Sequence, residues 1–334
     1  MNILVIRFSS LGDLVTLEPT FRAIKYFFND SKISFLTTGV GKALYQDTNY
    51  FDEYILHKGV FSSIKQLKNT KFDLIINLQC NKPSHYVSTF LKKDLVVNKS
   101  HTLFQKLLGI KGKSKTIKEI IEATLLISQT KIDNYFEKED EYIKLPVGEE
   151  KFFKYRDNTE KKYIAISTGT SERWLSKKWG VNNYLNLIKK LVKNNYQVIL
   201  IGSKLEIEDS KLIFEIFNEN EVLSFIDKTN LTQLKNLLAE VDLYIGNDSG
   251  PSHIAAGVGT NTITIFGSTD IKHCVKFMPY TGIHEYLKPS NNIKCHPCYK
   301  TKCPTNMECM SSIATEEVFN KVSHMINKNK KENK

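Results

Sequence analysis

The chain has 334 residues, more than one hydrophobic core usually organises, so two domains are expected. Its hydrophobic content of 41% and charged content of 25% are typical of a soluble globular protein. No run approaches the roughly 18 apolar residues of a membrane span, and the first residues lack the basic-then-apolar pattern of a signal peptide. We therefore expect a cytoplasmic protein.

The net charge of +11 is unevenly distributed. Residues 1–156 carry 24 basic and 17 acidic side chains (+7), and the remainder carries 23 and 19 (+4). The segment 92–118 holds eight lysines and one acid, Asp94, with leucines interleaved. Such a segment favours binding to an anionic, lipid-linked substrate and to an anionic membrane leaflet. The alternative interpretation is a solvated, lysine-rich surface without a binding role. Nucleic acid is not predicted as a partner, because no recognised binding motif accompanies the charge.

Apolar runs and amphipathic patterns alternate along the chain. The first half predicts strands at 2–7, 33–37, 73–78 and 95–98, and helices at 14–28, 61–68, 83–91 and 116–128. A highly charged stretch, 137–162, is typical of an interdomain connection. The pattern then restarts, with strands at 163–167, 197–201, 241–245 and 262–266, and helices at 181–194, 205–218, 231–239, 251–257 and 315–327. We therefore predict an α/β fold with two doubly wound, Rossmann-like domains, residues 1–155 and 156–334, facing a ligand cleft, and a frayed end at 328–334.

The segment Gly246–Ala256 combines the features of an anion-binding site. It follows an apolar strand and leads into an alanine-rich helix, with Pro251 in the first turn, where its missing N–H has no helical partner. The amides of Ser249 and Gly250 would then point at an anion from a helix N-terminus. Asp248 would repel phosphate, so we assign it to sugar hydroxyls. The pattern indicates a nucleotide-sugar site, and an ordinary strand–turn–helix junction with a capping side chain is the alternative.

The first strand is followed by the loop Phe8–Asp13, which lacks the G-x-G-x-x-G pattern of a dinucleotide site. It carries one glycine, Gly12, predicted to form a tight turn near the donor. It also carries one acid, Asp13, at the carboxyl end of strand one, where open α/β sheets place their chemistry. A helix N-cap is the alternative role of Asp13.

Together these segments resemble glycosyltransferase family 9, the heptosyltransferases of lipopolysaccharide core synthesis. The matching motifs come in the family's order and span most of the chain: Ser10-Leu11-Gly12-Asp13, Lys177-Lys178-Trp179, Asp248-Ser249-Gly250 with His253, Phe266-Gly267-Ser268-Thr269, and the cysteine-rich tail. The resemblance implies a GT-B architecture, with an N-terminal acceptor domain, a C-terminal nucleotide-sugar domain, and a terminal helix returning toward the first domain.

The resemblance also implies an inverting, single-displacement sugar transfer. Such a reaction needs one general base beside the acceptor hydroxyl, and Asp13 is the predicted base. Lys177, together with the amides of Ser249 and Gly250, would neutralise the departing diphosphate. Trp179 is expected to pack without taking part in the chemistry. Because a lysine and amides neutralise the leaving group and no paired-acid loop motif is present, no cofactor and no metal are predicted.

Further donor-binding residues follow the other strands of the second half. Thr168 and Thr170 lie at a strand end and are predicted to donate hydroxyl hydrogen bonds. Glu206, also after a strand, is predicted to hold the ribose hydroxyls, although glutamates are common at helix starts. His253 would contact the diphosphate or orient Asp248, whereas a lone histidine is more often structural.

The predicted partners are a nucleotide sugar, with ADP-heptose favoured, an anionic lipid-linked glycan acceptor, and the inner face of the cytoplasmic membrane. The predicted acceptor-binding residues are basic side chains of the densest positive segment: Lys106, Lys111, Lys113 and Lys115. Two other functions remain open. One is a GT-B-fold nucleotide-sugar epimerase, which would need paired acids, and the other is a non-catalytic binding module built on a zinc site.

Four of the six cysteines cluster in the tail as C-x2-C-x4-C-x5-C, at positions 295, 298, 303 and 309. Without a secretory signal, disulfides are disfavoured. A four-thiolate zinc site is chemically possible, but the second pair lacks the usual spacing of a zinc knuckle. The family carries similar cysteines without a metal role in catalysis. We therefore predict reduced, packed thiols.

Overall fold

Two separate parallel sheets organise the chain. The structure, a computed structural model, describes residues 1–79, 81–98, 142–153, 161–271, 280–290 and 292–332. The predicted helix 116–128, Cys80, Cys274 and the predicted acceptor lysines at 106, 111, 113 and 115 lie outside these residues. Contacts divide the chain into an N-terminal unit, Met1–Pro146, and a C-terminal unit, Val147–Lys334. The division falls within the predicted connection 137–162.

The described part of the N-terminal unit contains five strands and five helices. Its strands are β1 (Asn2–Ile6), β2 (Lys32–Thr37), β3 (Glu53–Leu56), β4 (Lys71–Asn77) and β5 (Lys92–Asn98). Its helices are α1 (Leu11–Thr16), α2 (Glu18–Phe27), α3 (Gly39–Tyr45), α4 (Val60–Leu67) and α5 (Lys82–Phe90). The sheet is parallel with the order β3-β2-β1-β4-β5. Side chains alternate between its faces, so Phe35 packs on Phe21 of α2 while Leu36 joins the core beneath α4 and α5.

One long helix was predicted over 14–28, and the structure shows two. α1 ends at Thr16, Leu17 is both its C-cap and the N-cap of α2, and Pro19 lies in the first turn of α2. Proline has no N–H to donate and clashes with the carbonyl four residues earlier, so the first helix has to end before it. Pro19 is the sequence signal for this break.

Among its described residues, the C-terminal unit has six parallel strands. They are β6 (Tyr163–Ser167), β7 (Gln197–Gly202), β8 (Val222–Ile226), β9 (Leu243–Asn247), β10 (Thr262–Ile265) and β11 (His284–Leu287), in the order β11-β10-β9-β6-β7-β8. The helices are α6 (Val181–Lys193), α7 (Ile207–Phe214), α8 (Leu231–Ala239), α9 (Gly250–Gly257), α10 (Glu308–Ser311) and α11 (Thr315–Glu332), with 3-10 turns at Leu175–Lys177 and Lys204–Glu206. The prediction of two doubly wound sheets is confirmed. The predicted helix 205–218 is instead a 3-10 turn followed by the shorter α7.

The three strands that the sequence failed to predict are all edge strands. β3 ends the N-terminal sheet, and β8 and β11 end the other. An edge strand is covered on fewer sides, and the burial along these three strands is mostly partial. Their sequences consequently lack the continuous apolar run of the central strands, such as the fully buried β9.

The segments on either side of Pro146 form hydrogen bonds with different units. On its N-terminal side, the amide of Lys144 donates to the buried carboxylate of Glu18 at 2.9 Å. On its C-terminal side, the amide of Gly148 donates to Asn236 at 2.8 Å. Backbone hydrogen bonds of this kind fix each flank of the connection to its own unit.

The last helix belongs to the core of the C-terminal unit. α11 runs to Glu332, beyond the predicted end at Asn327, and it packs on α6. Four of its apolar side chains are buried in the C-terminal core: Val318, Val322, Met325 and Ile326. The return of this helix toward the N-terminal domain stays a prediction. Among the described residues, every helix is too short or too polar to span a bilayer.

The strand order reverses between β6 and β9, and a buried asparagine joins the two strand ends there. Asn247 ends β9 and has no exposed surface. Its Nδ2 donates to the carbonyls of Thr168 and Gly169, at 3.0 and 2.9 Å, in the loop after β6. Its Oδ1 accepts from the amide of Trp179 at 3.1 Å and the hydroxyl of Tyr184 at 3.2 Å. Both donors and both lone pairs of the amide are thereby used.

We predict that Asn247→Ala lowers the free energy of unfolding of the C-terminal unit by about 2–4 kcal/mol, because it leaves several buried polar groups without partners. Both tryptophans, Trp174 and Trp179, lie in this unit, so urea unfolding followed by tryptophan fluorescence reports on it. The matched control is Asn194→Ala, which removes one exposed 2.8 Å bond to a helix carbonyl. Equal losses in the two variants would contradict the role given to Asn247.

Candidate functional site

The loop after β9 carries a buried ion pair. Lys177 Nζ lies 2.5 Å from Asp248 Oδ2, and the two side chains are 14% and 5% exposed. Thr269 donates to the same carboxylate oxygen at 2.9 Å. Lys177 also lies over the ring of Trp174, 4.8 Å from its centroid. The structure therefore brings together the predicted cation for the leaving group and the predicted ligand for the sugar hydroxyls.

His253 lies beside the same carboxylate. Its Nε2 is 3.9 Å from Asp248 Oδ1, and its Nδ1 is 2.9 Å from the hydroxyl of Tyr280. Burial raises the pKa of Tyr280, so this phenol stays protonated at neutral pH. His253 is therefore near Asp248 but beyond hydrogen-bond distance, and its role in orienting this carboxylate stays a prediction.

The start of α9 follows Asp248 directly. Ser249 is the N-cap, and Gly250 and Pro251 open the helix, which agrees with the predicted placement of the proline. The hydroxyl of Ser252 donates to the carbonyl of Ser249 at 2.6 Å and accepts from its amide at 3.4 Å. The amide of Ser249 thus has a long internal partner, and that of Asp248 donates to Ile265 at 3.0 Å.

Both predicted threonine hydroxyls already have partners within the protein. Thr168 is buried and donates to Asp209 at 2.8 Å. Asp209 in turn lies 2.9 Å from Lys178 Nζ. Thr170 donates to the carbonyl of Trp174 at 3.1 Å. These hydroxyls therefore shape the loop after β6 and link it to the segment that carries Lys177.

Glu206 lies next to the loop after β6. Its Oε2 accepts from the amide of Ser203 at 2.7 Å and from the Ser203 hydroxyl at 3.0 Å, so this carboxylate caps its own turn. Burial raises its pKa above the usual value for glutamate. A Cβ on Gly169 would collide with the same carboxylate, so a side chain at this position would force Glu206 to move. The structure thus combines the common capping role with a position beside the predicted donor loop.

The N-terminal unit places a second ion pair after β1. The guanidinium of Arg7 is buried, its Nη1 donates to the carbonyl of Leu78 at 2.8 Å, and its Nη2 lies 2.8 Å from Asp13 Oδ2. Asp13 Oδ2 also accepts from the amide and hydroxyl of Ser10, at 3.1 and 2.9 Å. The Asp13 side chain is 56% exposed. Asp13 is therefore the third residue of a capped helix rather than its N-cap, and its carboxylate has a fixed orientation.

The prediction of a tight turn at Gly12 is wrong. Ser10 is the N-cap of α1, and Gly12 lies in the first turn of that helix. Its backbone is not among the positive-φ glycines. The capping interaction between Ser10 and Asp13 starts the helix earlier than the apolar pattern indicates.

Side chains from neighbouring strand ends support this loop. The amides of Phe8 and Ser9 donate to Gln79 Oε1 at 2.9 and 3.2 Å. The ring of Phe8 stacks on His57 with centroids 3.7 Å apart. The Ser63 hydroxyl donates to a backbone carbonyl at 3.0 Å, so it accepts from His57 Nδ1 at 2.8 Å. Burial lowers the pKa of His57 and so favours the neutral ring.

The cysteine-rich tail adjoins the segment that carries Lys177. Ser176 donates its amide to the carbonyl of Thr301 at 3.1 Å and its hydroxyl contacts the carbonyl of Lys300. The tail cysteines are free thiols with graded exposure: Cys295 is exposed, Cys298 and Cys303 are intermediate, and Cys309 is buried. Burial raises the pKa of Cys309. Within the described ranges, no three histidine, cysteine or acidic side chains are arranged to hold a metal ion.

Several residues of these sites were not predicted from the sequence. Arg7 was assigned only to the first strand, although a buried cation at a strand end signals a nearby acid. Asn247 and Thr269 lie within the family-like segments described above, but no role was predicted for them. Asp209 and Tyr280 had no local signal, because their partners are distant in sequence. The packing of Trp179, which was predicted, is confirmed: it is 2% exposed.

Comparison with known proteins supports the expected family. Residues 60–308 match the profile of glycosyltransferase family 9 (heptosyltransferase). The chain is 23% identical over 325 residues to lipooligosaccharide heptosyltransferase 2 of Campylobacter jejuni, covering 95% of each chain.

Solved structures show the same fold. A family 9 glycosyl transferase of Veillonella parvula has a TM-score of 0.75 at 18% identity, covering 98% of this chain and 97% of the other. The ADP-heptose LPS heptosyltransferase II of E. coli has a TM-score of 0.71 at 17% identity, covering 99% and 100%. The predicted α/β fold of GT-B type is confirmed. The chain therefore belongs to glycosyltransferase family 9, the heptosyltransferases, and it is a glycosyltransferase.

Proposed function

We propose that this enzyme transfers a heptose, or a related sugar, from a nucleoside-diphosphate donor to a lipopolysaccharide core or a similar lipid-linked glycan. ADP-heptose is the proposed donor, because the structural relative from E. coli is named as an ADP-heptose heptosyltransferase. The observation that carries the proposal is the buried pair of Lys177 and Asp248 at the start of α9. It places a cation, a carboxylate and helix amides around one point at the strand-order reversal, where open α/β sheets bind their ligands.

The donor is proposed to bind to the C-terminal unit. The diphosphate would lie against Lys177 and the amides of Ser249 and Gly250, and Asp248 would accept hydrogen bonds from sugar hydroxyls. Asp248 also keeps Lys177 oriented before the donor arrives. Thr269, which contacts the same carboxylate oxygen, helps to orient Asp248. Glu206 would hold the ribose hydroxyls beside the loop after β6.

The chemical step is proposed to be a single displacement with inversion. Asp13 accepts the proton of the acceptor hydroxyl as the oxygen attacks the anomeric carbon, and the bond to the nucleoside diphosphate breaks on the opposite side. Arg7 and Ser10 contact Asp13 Oδ2 and so fix the direction of the carboxylate. Lys177 and the α9 amides take up the charge of the leaving diphosphate, so the step needs no metal.

The acceptor is proposed to be anionic and to bind to the N-terminal unit, with Lys106, Lys111, Lys113 and Lys115 contributing positive charge. The inner face of the cytoplasmic membrane, where a lipid-linked acceptor is embedded, is the proposed place of action. Attraction between this basic segment and an anionic surface would be screened beyond roughly 8–10 Å at physiological salt.

The proposed function predicts sugar incorporation, by mass spectrometry, when the purified enzyme is incubated with ADP-heptose and a deep-rough core acceptor. EDTA should leave the rate unchanged. Rate loss with EDTA that is restored by a divalent ion would contradict metal independence. Donor consumption in the absence of acceptor, without transfer, would instead favour an epimerase or a hydrolase.

Replacing Asp13 by Asn should lower turnover by about 10²- to 10⁴-fold, the usual contribution of a general base. The amide keeps the size of the side chain and its oxygen still accepts from Ser10, so nucleotide binding should change little, whereas the melting temperature should fall modestly because the buried Arg7 loses its charged partner. The control is Asp30→Asn, an exposed acid beyond α2, which should keep full turnover. Unchanged turnover in Asp13→Asn would leave Asp13 with a capping role alone.

Lys177→Ala should lower kcat/KM for the donor by about 10- to 100-fold, because it removes a cation from the diphosphate and leaves Asp248 buried without its charge partner. Lys178→Ala is the matched neighbour, because it likewise deprives a buried carboxylate, Asp209, of its charge partner but removes no cation that is proposed to contact the donor. Its effect on kcat/KM for the donor should therefore stay within about threefold. The reverse order of effects would show that Lys178 contacts the donor.

A further inference from the structure

The helices α4 and α5 carry aromatic side chains on their outward faces. Their inward faces are filled normally, with Leu67 and Val87 buried against the sheet. On the solvent side, however, Phe61 is 89% exposed, Phe90 65% and Tyr86 56%. Tyr86 and Phe90 are one helical turn apart and so lie on one stripe of α5. An amphipathic helix normally exposes polar residues on this face.

The two helices and their flanks are also rich in lysine. Residues 57–71 and 81–93, which contain the two helices and their flanks, have seven lysines and no acidic residue. Lys71 pairs with Asp94, and Lys93 donates to the carbonyls at the end of α5. The other five are exposed, and within the described part of the chain none has an acidic partner at ion-pair distance: Lys58, Lys65, Lys68, Lys82 and Lys92.

The position of this surface relates it to the candidate base. β3 and β4 run parallel to β1, so α4 and α5 begin at the same sheet edge as the loop of Asp13. Phe61 is in the first turn of α4. His57, which precedes that helix, stacks on Phe8 at the end of β1. The aromatic and basic surface therefore starts at the edge where the proposed proton transfer takes place.

We infer that the outward face of α4 and α5 is the surface by which the enzyme docks on an anionic lipid bilayer. Phe61, Tyr86 and Phe90 would enter the headgroup region, where aromatic rings are favoured, and the lysines would contact acidic headgroups. The complementarity of charge selects this occupant, since a second copy of the same basic face would be repelled. The inference rests on the proposed lipid-linked acceptor, but its test does not depend on transfer.

The test uses sedimentation of the full-length protein with vesicles of phosphatidylcholine and phosphatidylglycerol in roughly a 7:3 ratio, and with vesicles of phosphatidylcholine alone. Wild type should sediment with the anionic vesicles. The double variant Phe61→Ser/Phe90→Ser should lose about tenfold or more in apparent affinity. Tyr26→Ser is the matched control, since this tyrosine is 63% exposed on α2, whose helix packs on the other face of the sheet. It should bind like wild type.

A charge test follows the same design. Lys65→Gln/Lys68→Gln should weaken binding to anionic vesicles and flatten its dependence on salt. Lys189→Gln/Lys193→Gln, which removes two exposed lysines of α6 in the other unit, should have little effect. Equal losses in the two pairs would mean that net charge alone attracts the protein, and this would overturn the assignment of a specific surface.

Fluorescence gives a direct readout of insertion. Phe61→Trp should be quenched by vesicles that contain brominated lipid, beyond any change in wild type, whose tryptophans lie in the C-terminal unit. The inference would be overturned if quenching were absent and if vesicle binding were lost only when the predicted acceptor-binding lysines are neutralised, namely Lys106, Lys111, Lys113 and Lys115. The membrane contact would then lie in that segment. A shift in sedimentation coefficient in Phe61→Ser/Phe90→Ser without lipid would show a second copy of the chain as the occupant.

Transfer to a water-soluble acceptor separates this inference from the proposed function. The serine variants should keep the wild-type kcat with such an acceptor, because the substituted side chains lie outside the machinery of proton transfer and donor binding. Normal vesicle binding without any transfer would contradict the proposed function alone. Normal transfer together with unchanged vesicle binding of the serine variants would contradict the docking surface alone.

Discussion

The four hydrogen bonds of Asn247 determine the geometry of the C-terminal site. A parallel sheet brings the ends of β6 and β9 together but leaves their loops free to take many conformations. Asn247 ties the carbonyls of Thr168 and Gly169 and the amide of Trp179 to the end of β9. Because Lys177 lies two residues before Trp179, and Asp248 directly follows Asn247, the same side chain sets the separation of the ion pair. The amide is buried, so each bond is made in a low-dielectric environment where losing it is costly.

Both units contain an ion pair with a largely buried cation, and the two pairs differ in the exposure of the carboxylate. Each places a cation and a carboxylate after a central strand. In the C-terminal unit the carboxylate of Asp248 is 5% exposed and holds Lys177 in a fixed position. In the N-terminal unit the cation is buried and the carboxylate of Asp13 is 56% exposed. This difference agrees with the proposed roles, because a proton acceptor has to reach a substrate hydroxyl, whereas an anchoring carboxylate works best away from water.

The central strands and the family motifs could be predicted from the sequence alone. Contacts between residues that are distant in the chain could not. Strands such as β9 are buried on both faces and therefore appear as apolar runs. The edge strands β3, β8 and β11 are held by pairing on one side, which leaves little trace in their composition. The break at Pro19 had a clear local signal that the helical periodicity masked. The partnerships of Arg7 with Asp13 and of Thr168 with Asp209 depend on the fold, and no spacing rule reveals them.

The same reasoning applies to α4 and α5, whose inward faces were predicted from periodicity and whose outward faces were not. Hydrophobic periodicity identifies the helix residues that pack on the sheet. The remaining residues are then assumed to face solvent. Phe61 and Phe90 are unusual for a surface that faces solvent, because exposing large aromatic rings among unpaired lysines adds nothing to the stability of the unit. A surface that is both apolar and cationic is unfavourable in water and favourable at an anionic interface. The inferred bilayer contact would account for the outward face of these helices, whereas the fold accounts for their inward face.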